Sequence, residues 1–281
     1  MRILTTLSTA LLIVIQTANL HAQKGIVMVL NDGVWTYADL TGKPIIDGNE
    51  DWRIYEFDPI GVGLVNDDGY KLIDSNGNWV PTEPDEFEVD MDFFSIGTNF
   101  SEGLLKIEVD NKWGMLDHTG KIAIEPKFDK ILPFYSGHSI ARLGNEIVII
   151  NRDGSITPLQ NEDIIGYKHF QEGLALVHTD ERLWGYMQPD GKMAIVPKYL
   201  SGGYFNGGLA WAKSDDNLVG FIDQSGNWVI DPILDAARAF DPVSGLAMVK
   251  HDKKWKYIDE SGEFHQFNVS KKIYEFSDGM S

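Results

Sequence analysis

The sequence contains no cysteine. Disulfides, thiolate metal sites and cysteine nucleophiles are excluded together, so the fold is held without covalent cross-links. Basic residues are scarce: 24 Lys and Arg stand against 42 Asp and Glu, a formal charge of −18. Such a surface repels phosphate backbones and anionic headgroups, so nucleic acid and lipid surfaces are not expected partners. High net charge also favours a soluble, monomeric chain. Enzyme signatures are missing as well. There is no H-E-x-x-H, no G-x-S-x-G and no phosphate-binding glycine loop. His118, His138, His169, His178, His251 and His265 show no metal-ligand spacing. No cofactor and no catalytic residue are expected, although carboxylates far apart in sequence can still meet in space.

One apolar run is present, at the beginning. Met1-Arg2 is followed by Ile3 to Ile15, apolar apart from small hydroxyl residues, then by a polar stretch ending at Ala22. This order of charged, apolar and cleavage regions predicts a signal peptide over residues 1–22. The run is short for a membrane span, and no second one follows. The expectation is a mature chain over residues 23–281, exported by a bacterium to the periplasm or beyond. With Arg2 removed and no acid lost, its formal charge is −19.

What remains is repetition. Opening glycines fall at 25, 61, 103, 137, 173, 208 and 245, spaced by 36, 42, 34, 36, 35 and 37 residues. Turn glycines fall at 42, 77, 120, 154, 191, 226 and 262. Two landmarks drifting together over seven units define a repeat. Each opening glycine precedes a short apolar run, such as Leu174-Ala175-Leu176-Val177, which reads as a buried strand. A second strand carries large residues two apart: Trp35 and Tyr37, Trp113 and Met115, Trp184 and Tyr186, Trp255 and Tyr257. Period two puts each pair on one face, and recurrence in unit after unit points to the core between units. Trp52, Trp79, Trp211 and Trp228 fall outside that position and are better candidates for a ligand face, although a core role remains the leading reading of each.

Asp39, Asp74, Asp117, Asp223 and Asp259 stand three residues before a turn glycine, with Asn151 and Gln188 in the same place elsewhere. An Asp or Asn opening a turn that Gly closes is type I turn chemistry with a glycine bulge, which explains these acids without a metal. A third strand follows, expected to end at Pro126, Pro158, Pro197 and Pro232 because proline cannot donate to a ladder. A weaker fourth strand is expected over residues 128–134 and its counterparts, and a short helix over 234–240.

Trp113-Gly114 and Trp184-Gly185 are the pair for which the WG-repeat family is named, and the chain from Lys24 to the end resembles that family. The resemblance is strong in units three, five, six and seven. Tyr70, Ile147 and Val219 stand in the place of the tryptophan, and Thr36, Lys71, Val148 and Lys256 in the place of the glycine. It implies a secreted or surface-associated repeat protein with a binding or scaffolding role, and it supplies no catalytic residue.

The expected fold is all-β. Small antiparallel sheets must stack to bury both faces. A seven-bladed β-propeller-like ring is favoured, with an open β-solenoid of hairpin units as the alternative. An eighth opening signal, Phe276-Ser277-Asp278-Gly279-Met280, begins as the sequence stops and speaks for closure.

The main departure from the repeat is Glu83 to Phe94, in the unit with the longest spacing. Glu86, Glu88, Asp90 and Asp92 alternate with Phe87, Val89, Met91 and Phe93. As a strand this sets four carboxylates on one face, to be met by solvent, a cation or a basic partner. These four residues are the candidate partner-binding site, and a solvated, charge-protected edge is the simpler reading. The functional expectation is a non-enzymatic interaction protein that binds a protein or an envelope glycan. A carbohydrate-binding protein is the alternative, and a glycan hydrolase is the least supported.

Overall fold

A computed structural model describes residues 25–89, 100–160 and 163–265. The expected signal peptide, Asp90, Asp92 and the eighth opening signal lie outside the described residues. The chain divides into two compact units, Met1–Lys127 and Phe128–Ser281.

The fold is all-β, as the repeat predicts, and its seven antiparallel sheets follow chain order. The first, in the described residues, has two strands, Ile26–Asn31 and Val34–Asp39, extended by a bridge from Ala38 to Pro44. Each of the other six is a four-stranded meander. The fifth sheet shows the pattern: Ile164–Gln171, Leu174–Thr179, Trp184–Met187 and Met193–Tyr199, each paired with the next.

The turn prediction holds in detail. In five units one Asp carboxylate oxygen accepts the N–H groups of the residues two and four places on, at 2.8–3.1 Å. The turn glycine then donates to the carbonyl of that Asp, or of Asn151 or Gln188 in its place. All seven turn glycines have φ between 80 and 88°, a conformation that costs other residues steric strain.

Three expectations change. The weak strand expected at residues 128–134 closes no unit. Its Lys130–Ile131 portion is the first strand of the following sheet and pairs with His138–Leu143. The reason is local, since the opening glycine is a hairpin turn that joins the strands on either side of it. Residues 234–240 form no helix; Leu234 ends one strand and Ala236–Asp241 is another. Alternation toward the buried Phe240 outweighs the helix propensity of Ala236, Ala237 and Ala239.

The prolines do not end the third strand either, apart from Pro158, the last residue of Ile156–Pro158. Pro126, Pro197 and Pro232 lie inside seven-residue strands. These are edge strands, where a missing donor on the outer side breaks no ladder and blunts edge pairing. In the fifth sheet Trp184 pairs Tyr199 and Tyr186 pairs Ile195, so Gly185 alone faces a bulge through Val196, Pro197 and Lys198. Gly220 faces the same bulge through Asp231, Pro232 and Ile233. The glycine of the Trp-Gly pair is therefore a packing requirement. A Cβ on Gly114, Gly185 or Gly220 would press on Ile124 O, Ile195 O or Ile230 O and lie 2.7–2.8 Å from the proline nitrogen.

Core clusters are shared between successive sheets, which is how units with two apolar faces bury both. Within Met1–Lys127, Tyr37 packs with Phe57, and Leu72 with Phe100. Within Phe128–Ser281, Ile149 lies with Phe170, Tyr186 with Phe205, and Phe221 with Phe240. In each pair a residue two places after the Trp position meets a phenylalanine that precedes the next opening glycine. Ring centroids are 4.6, 4.8 and 4.6 Å apart for Tyr37–Phe57, Tyr186–Phe205 and Phe221–Phe240. Two buried hydroxyls tie the same junctions. Tyr37 Oη donates to Tyr55 O at 2.6 Å, and Tyr186 Oη donates to Gly203 O at 2.7 Å. Burial pushes both phenols well above their ordinary pKa, so each remains a donor at any ordinary pH.

Candidate functional site

The repeated acids are occupied by the fold. Asp39 is held below the usual carboxylate range first by the Thr41 hydroxyl, Asp223 by the Asn227 N–H, and Asp259 by Ser261 and His265. For Asp117 burial acts upward, but the Thr119 and Lys121 hydrogen bonds outweigh it. Among the described residues no group of three or more His, Asp or Glu is placed to hold a metal ion. The pH consequence has a definite sign. A carboxylate whose folded pKa is depressed binds its proton first in the unfolded chain as pH falls. Stability is therefore complete above the unfolded value of about 3.9 and is lost as pH drops through the depressed values. This contribution to the urea midpoint should decline below about pH 4. Replacing Asp74, Asp117, Asp223 and Asp259 with Asn should flatten that decline.

Of the four predicted partner-binding acids, Glu86 and Glu88 are exposed, while Phe87 and Val89 between and beside them are buried. The alternation is as expected for these residues. Phe87 and Val89 join the cluster that holds Tyr55, Leu72, Phe100 and Leu105. Among the described residues the backbone forms no ladder here. It makes one bridge, in which Glu88 N–H donates to Glu108 O at 2.9 Å and Glu108 N–H to Glu88 O at 2.8 Å. This sets two glutamates opposite each other, an arrangement that keeps both side chains in solvent.

The repeated tryptophans are not the core between units. Trp35, Trp113 and Trp184 are half-buried and Trp255 is 38% exposed, whereas Tyr37, Met115, Tyr186 and Tyr257 are buried. Tyr37 and Tyr186, the second residues of their pairs, are the ones that reach Phe57 and Phe205. Trp113 instead lies under Lys106, with Nζ 4.2 Å from the ring centre, and Trp184 lies against His178. Of the other four, Trp79 is 45% exposed and Trp52, Trp211 and Trp228 are half-buried.

The most developed surface feature lies outside every motif of the sequence. Tyr135, His169 and Tyr204 come from three successive units and stand in a row. Tyr135 and His169 are 4.4 Å apart at 35°, and His169 and Tyr204 are 4.3 Å apart at 21°. Tyr204 Oη and His169 Nδ1 are 3.0 Å apart, within hydrogen-bond distance. Burial holds the imidazole below its usual pKa against the hydrogen bond to Gln171, so it is neutral at pH 7. Gln171 also bonds Asn206. Beside it the Glu172 carboxylate accepts Gly207 N–H at 2.7 Å and Gly208 N–H at 2.9 Å. Each of the three ring residues flanks one of the buried phenylalanines Phe134, Phe170 and Phe205. That recurring Phe, three residues before Gly103, Gly137, Gly173 and Gly208, is the one sequence signal for the row. The central ring is covered on both sides by its neighbours, and Tyr135, at 42% exposure, is the open end.

Two acids elsewhere are pushed up by burial, Glu56 and Asp58. Asp58 is committed to the fold. Its carboxylate accepts Ile60 N–H at 2.7 Å, and its carbonyl accepts Gly61 N–H. Asp241 does the same for Ser244 and Gly245 in the last sheet. A turn role common to both positions accounts for the burial without a reaction.

Residues 113–146, 184–217 and 220–255 match the family model of the WG containing repeat. Two of these stretches begin at a Trp-Gly pair and the third at Gly220, and all three contain the glycine that faces a proline bulge. No curated protein matches the chain. Among solved structures, the computationally designed Ika8 protein is similar with a TM-score of 0.43 and 11% identity, over 87% of this chain and 84% of that one. The extracellular domain of a putative one-component system from B. thetaiotaomicron gives 0.39 and 14%, over 88% of this chain and 41% of that one. BamB from Moraxella catarrhalis gives 0.39 and 9%, over 85% and 86%.

Proposed function

We propose, for a chain that carries repeats of the WG family, a non-enzymatic interaction role outside the cytoplasm of a bacterium, with a protein or cell-envelope partner. The chain acts as an exported monomer and needs no cofactor. What supports the reading is how the chemistry is distributed. The side chains that repeat from unit to unit are spent on turns and on junctions between sheets: the aspartates, the tyrosine hydroxyls and the bulge-facing glycines. Groups that do not repeat gather at the surface instead, and among the described residues the row Tyr135–His169–Tyr204 is one such set. Aromatic side chains held rigidly by neighbours bind at low entropic cost, which suits an interaction face. Among the described residues no helix is long and apolar enough to cross a membrane.

The test is capture from envelope extracts with the chain over residues 23–281, compared with a Tyr135→Ser, Tyr204→Ser variant of matched thermal stability. A partner retained by the wild type and lost from the variant is the expected result. An identical set of retained proteins and glycans for both chains overturns the role of this face. A carbohydrate-binding reading has one observation in its favour, the amides of Gln171 and Asn206 beside the rings. The ring faces are turned on one another, however, which leaves one end for a sugar.

A further inference from the structure

Of the tryptophans outside the repeated position, Trp79 alone is exposed, at 45%. Its sequence, Asn78-Trp79-Val80 after Gly77, recurs as Asn227-Trp228-Val229 after Gly226. Both indoles stand opposite an isoleucine of the neighbouring strand, Trp79 with Ile73 and Trp228 with Ile222. Both also meet a second ring edge to face at 5.6 Å, Trp52 for Trp79 and Tyr199 for Trp228. They differ in the edge strand that carries them. In the sixth sheet it runs from Trp228 to Leu234 and bulges over Gly220, and Trp228 is half-buried. In the second sheet it stops at Val80, and Lys71 takes the place of the glycine.

Three side chains gather around this indole, all from described residues of the compact unit Met1–Lys127. Trp52 is anchored beside Tyr37, Val65 and Ile73 and meets Trp79 at 78°, whereas Tyr204 stacks on His169 at 21°. Lys71 stands two places before Ile73 and so shares the face of Trp79. Its Nζ lies 5.8 Å from the centre of the indole and 2.8 Å from Asp67 Oδ2. Beyond Val80 the chain leaves for the other face of the sheet. There Val80 and Phe87 pack with Leu72, and Glu83 N–H donates to Gly120 O at 2.8 Å. The result is an open apolar ring bordered by a paired acceptor and donor.

We propose that this corner is a binding site for a neutral glycan. The C–H face of a sugar ring packs on the indole of Trp79, and the sugar hydroxyls meet the Asp67 carboxylate and the Lys71 ammonium. The border of the ring selects this occupant. A hydroxyl both donates and accepts, so one edge of a sugar serves both members of the ion pair. A polyanion meets Asp67 and the exposed Asp68 beside it, in a chain of formal charge −18. A basic segment must displace Lys71, which already holds the carboxylate and lies within cation–π range of the indole. An apolar side chain covers the ring but takes water from the ion pair without replacing its hydrogen bonds. The site goes beyond the interaction role above and lies on a surface separate from the Tyr135 row.

The experiment titrates the full chain by calorimetry with neutral polymers (mixed-linkage β-glucan, xyloglucan, galactomannan and dextran), with polygalacturonate and with polylysine. The expected result is binding of at least one neutral polymer, equal at about 50 and 200 mM salt because the ligand carries no charge to screen. Trp79→Ala should weaken it about tenfold or more, a typical hot-spot loss. Asp67→Asn and Lys71→Ala should each weaken it about fivefold, the worth of one hydrogen bond. Trp228→Phe, in the same tripeptide, should leave it unchanged. Unfolding midpoints equal to that of the wild type show that the variants are folded, and Lys71→Ala, at an exposed side chain, carries the test where Trp79→Ala lowers the midpoint. The proposal is overturned if no neutral polymer binds, if folded Trp79→Ala binds as the wild type does, or if polygalacturonate binds more tightly. Polylysine is drawn to any acidic surface, but an affinity for it that falls with Trp79→Ala assigns the corner to a basic segment and also overturns the proposal. Any of these with the envelope partner still captured leaves the interaction role standing. A Tyr135, Tyr204 variant that loses its envelope partner should bind the neutral polymer as the wild type does.

Discussion

Gly185→Ala is expected to destabilise the protein by about 3 kcal/mol, at the upper end for a single inserted methyl group. The φ of Gly185 is not positive, so backbone strain contributes nothing and the cost is steric. The new methyl would press on Ile195 O and sit 2.7 Å from Pro197 N and 2.9 Å from Pro197 Cα. All three are backbone or ring atoms that no rotamer change can move. Gly33→Ala is the control. Gly33 has φ of 85° and nothing within 4 Å of the place its methyl would take, so it reports conformational strain alone. A cost of about 1 kcal/mol is expected there. Urea unfolding followed by tryptophan fluorescence measures both. Equal midpoints for the two variants would show that the bulge yields, and the bulge would then no longer explain the glycine of the Trp-Gly pair. Another unit carries a natural counterpart: Val148 stands where the partner strand is Ile156–Pro158, in unshifted register, and no bulge needs the space.

Phe205→Ala is expected to cost about 3–5 kcal/mol, the range for deleting a fully buried aromatic ring. Phe205 is 1% exposed and packs on Tyr186, on the preceding sheet, at 4.8 Å and 60°. The deletion opens a cavity at a junction between units, and neighbouring sheets are each other's only source of burial. The cost should therefore appear partly as lost cooperativity, seen as a lower slope of the urea transition as well as a lower midpoint. Trp184→Ala, at the residue for which the repeat is named, should cost less than Phe205→Ala because its indole is half-exposed. A larger loss for Trp184→Ala would overturn the assignment of the phenylalanines as the core between sheets.

Local features of this chain were legible in its sequence, and contacts between units were not. The spacing of Asp117 and Gly120 specified a turn, its type and the role of the carboxylate, because every interaction involved lies within five consecutive residues. The alternation of Glu86, Phe87, Glu88 and Val89 specified which side chains face water, because a strand has period two. It did not specify that Glu88 would bridge Glu108, since pairing depends on where the partner strand lies. Trp113 and Met115 were equivalent as letters, both large and on one face. Choosing between them required the tertiary packing, which a period of two does not contain.

The residues of this chain therefore determine by themselves the all-β class, the number of units and the turns that join their strands. These follow from short-range sterics and from hydrogen bonds between residues a few places apart. Tertiary packing decided the rest: which large residue of each pair is buried, why a glycine follows Trp113 and Trp184, and which unlike side chains meet at the surface. Tyr135, His169 and Tyr204 are separated by about 35 residues each and share no motif. They form a row because each stands beside a buried phenylalanine at the same place in its unit.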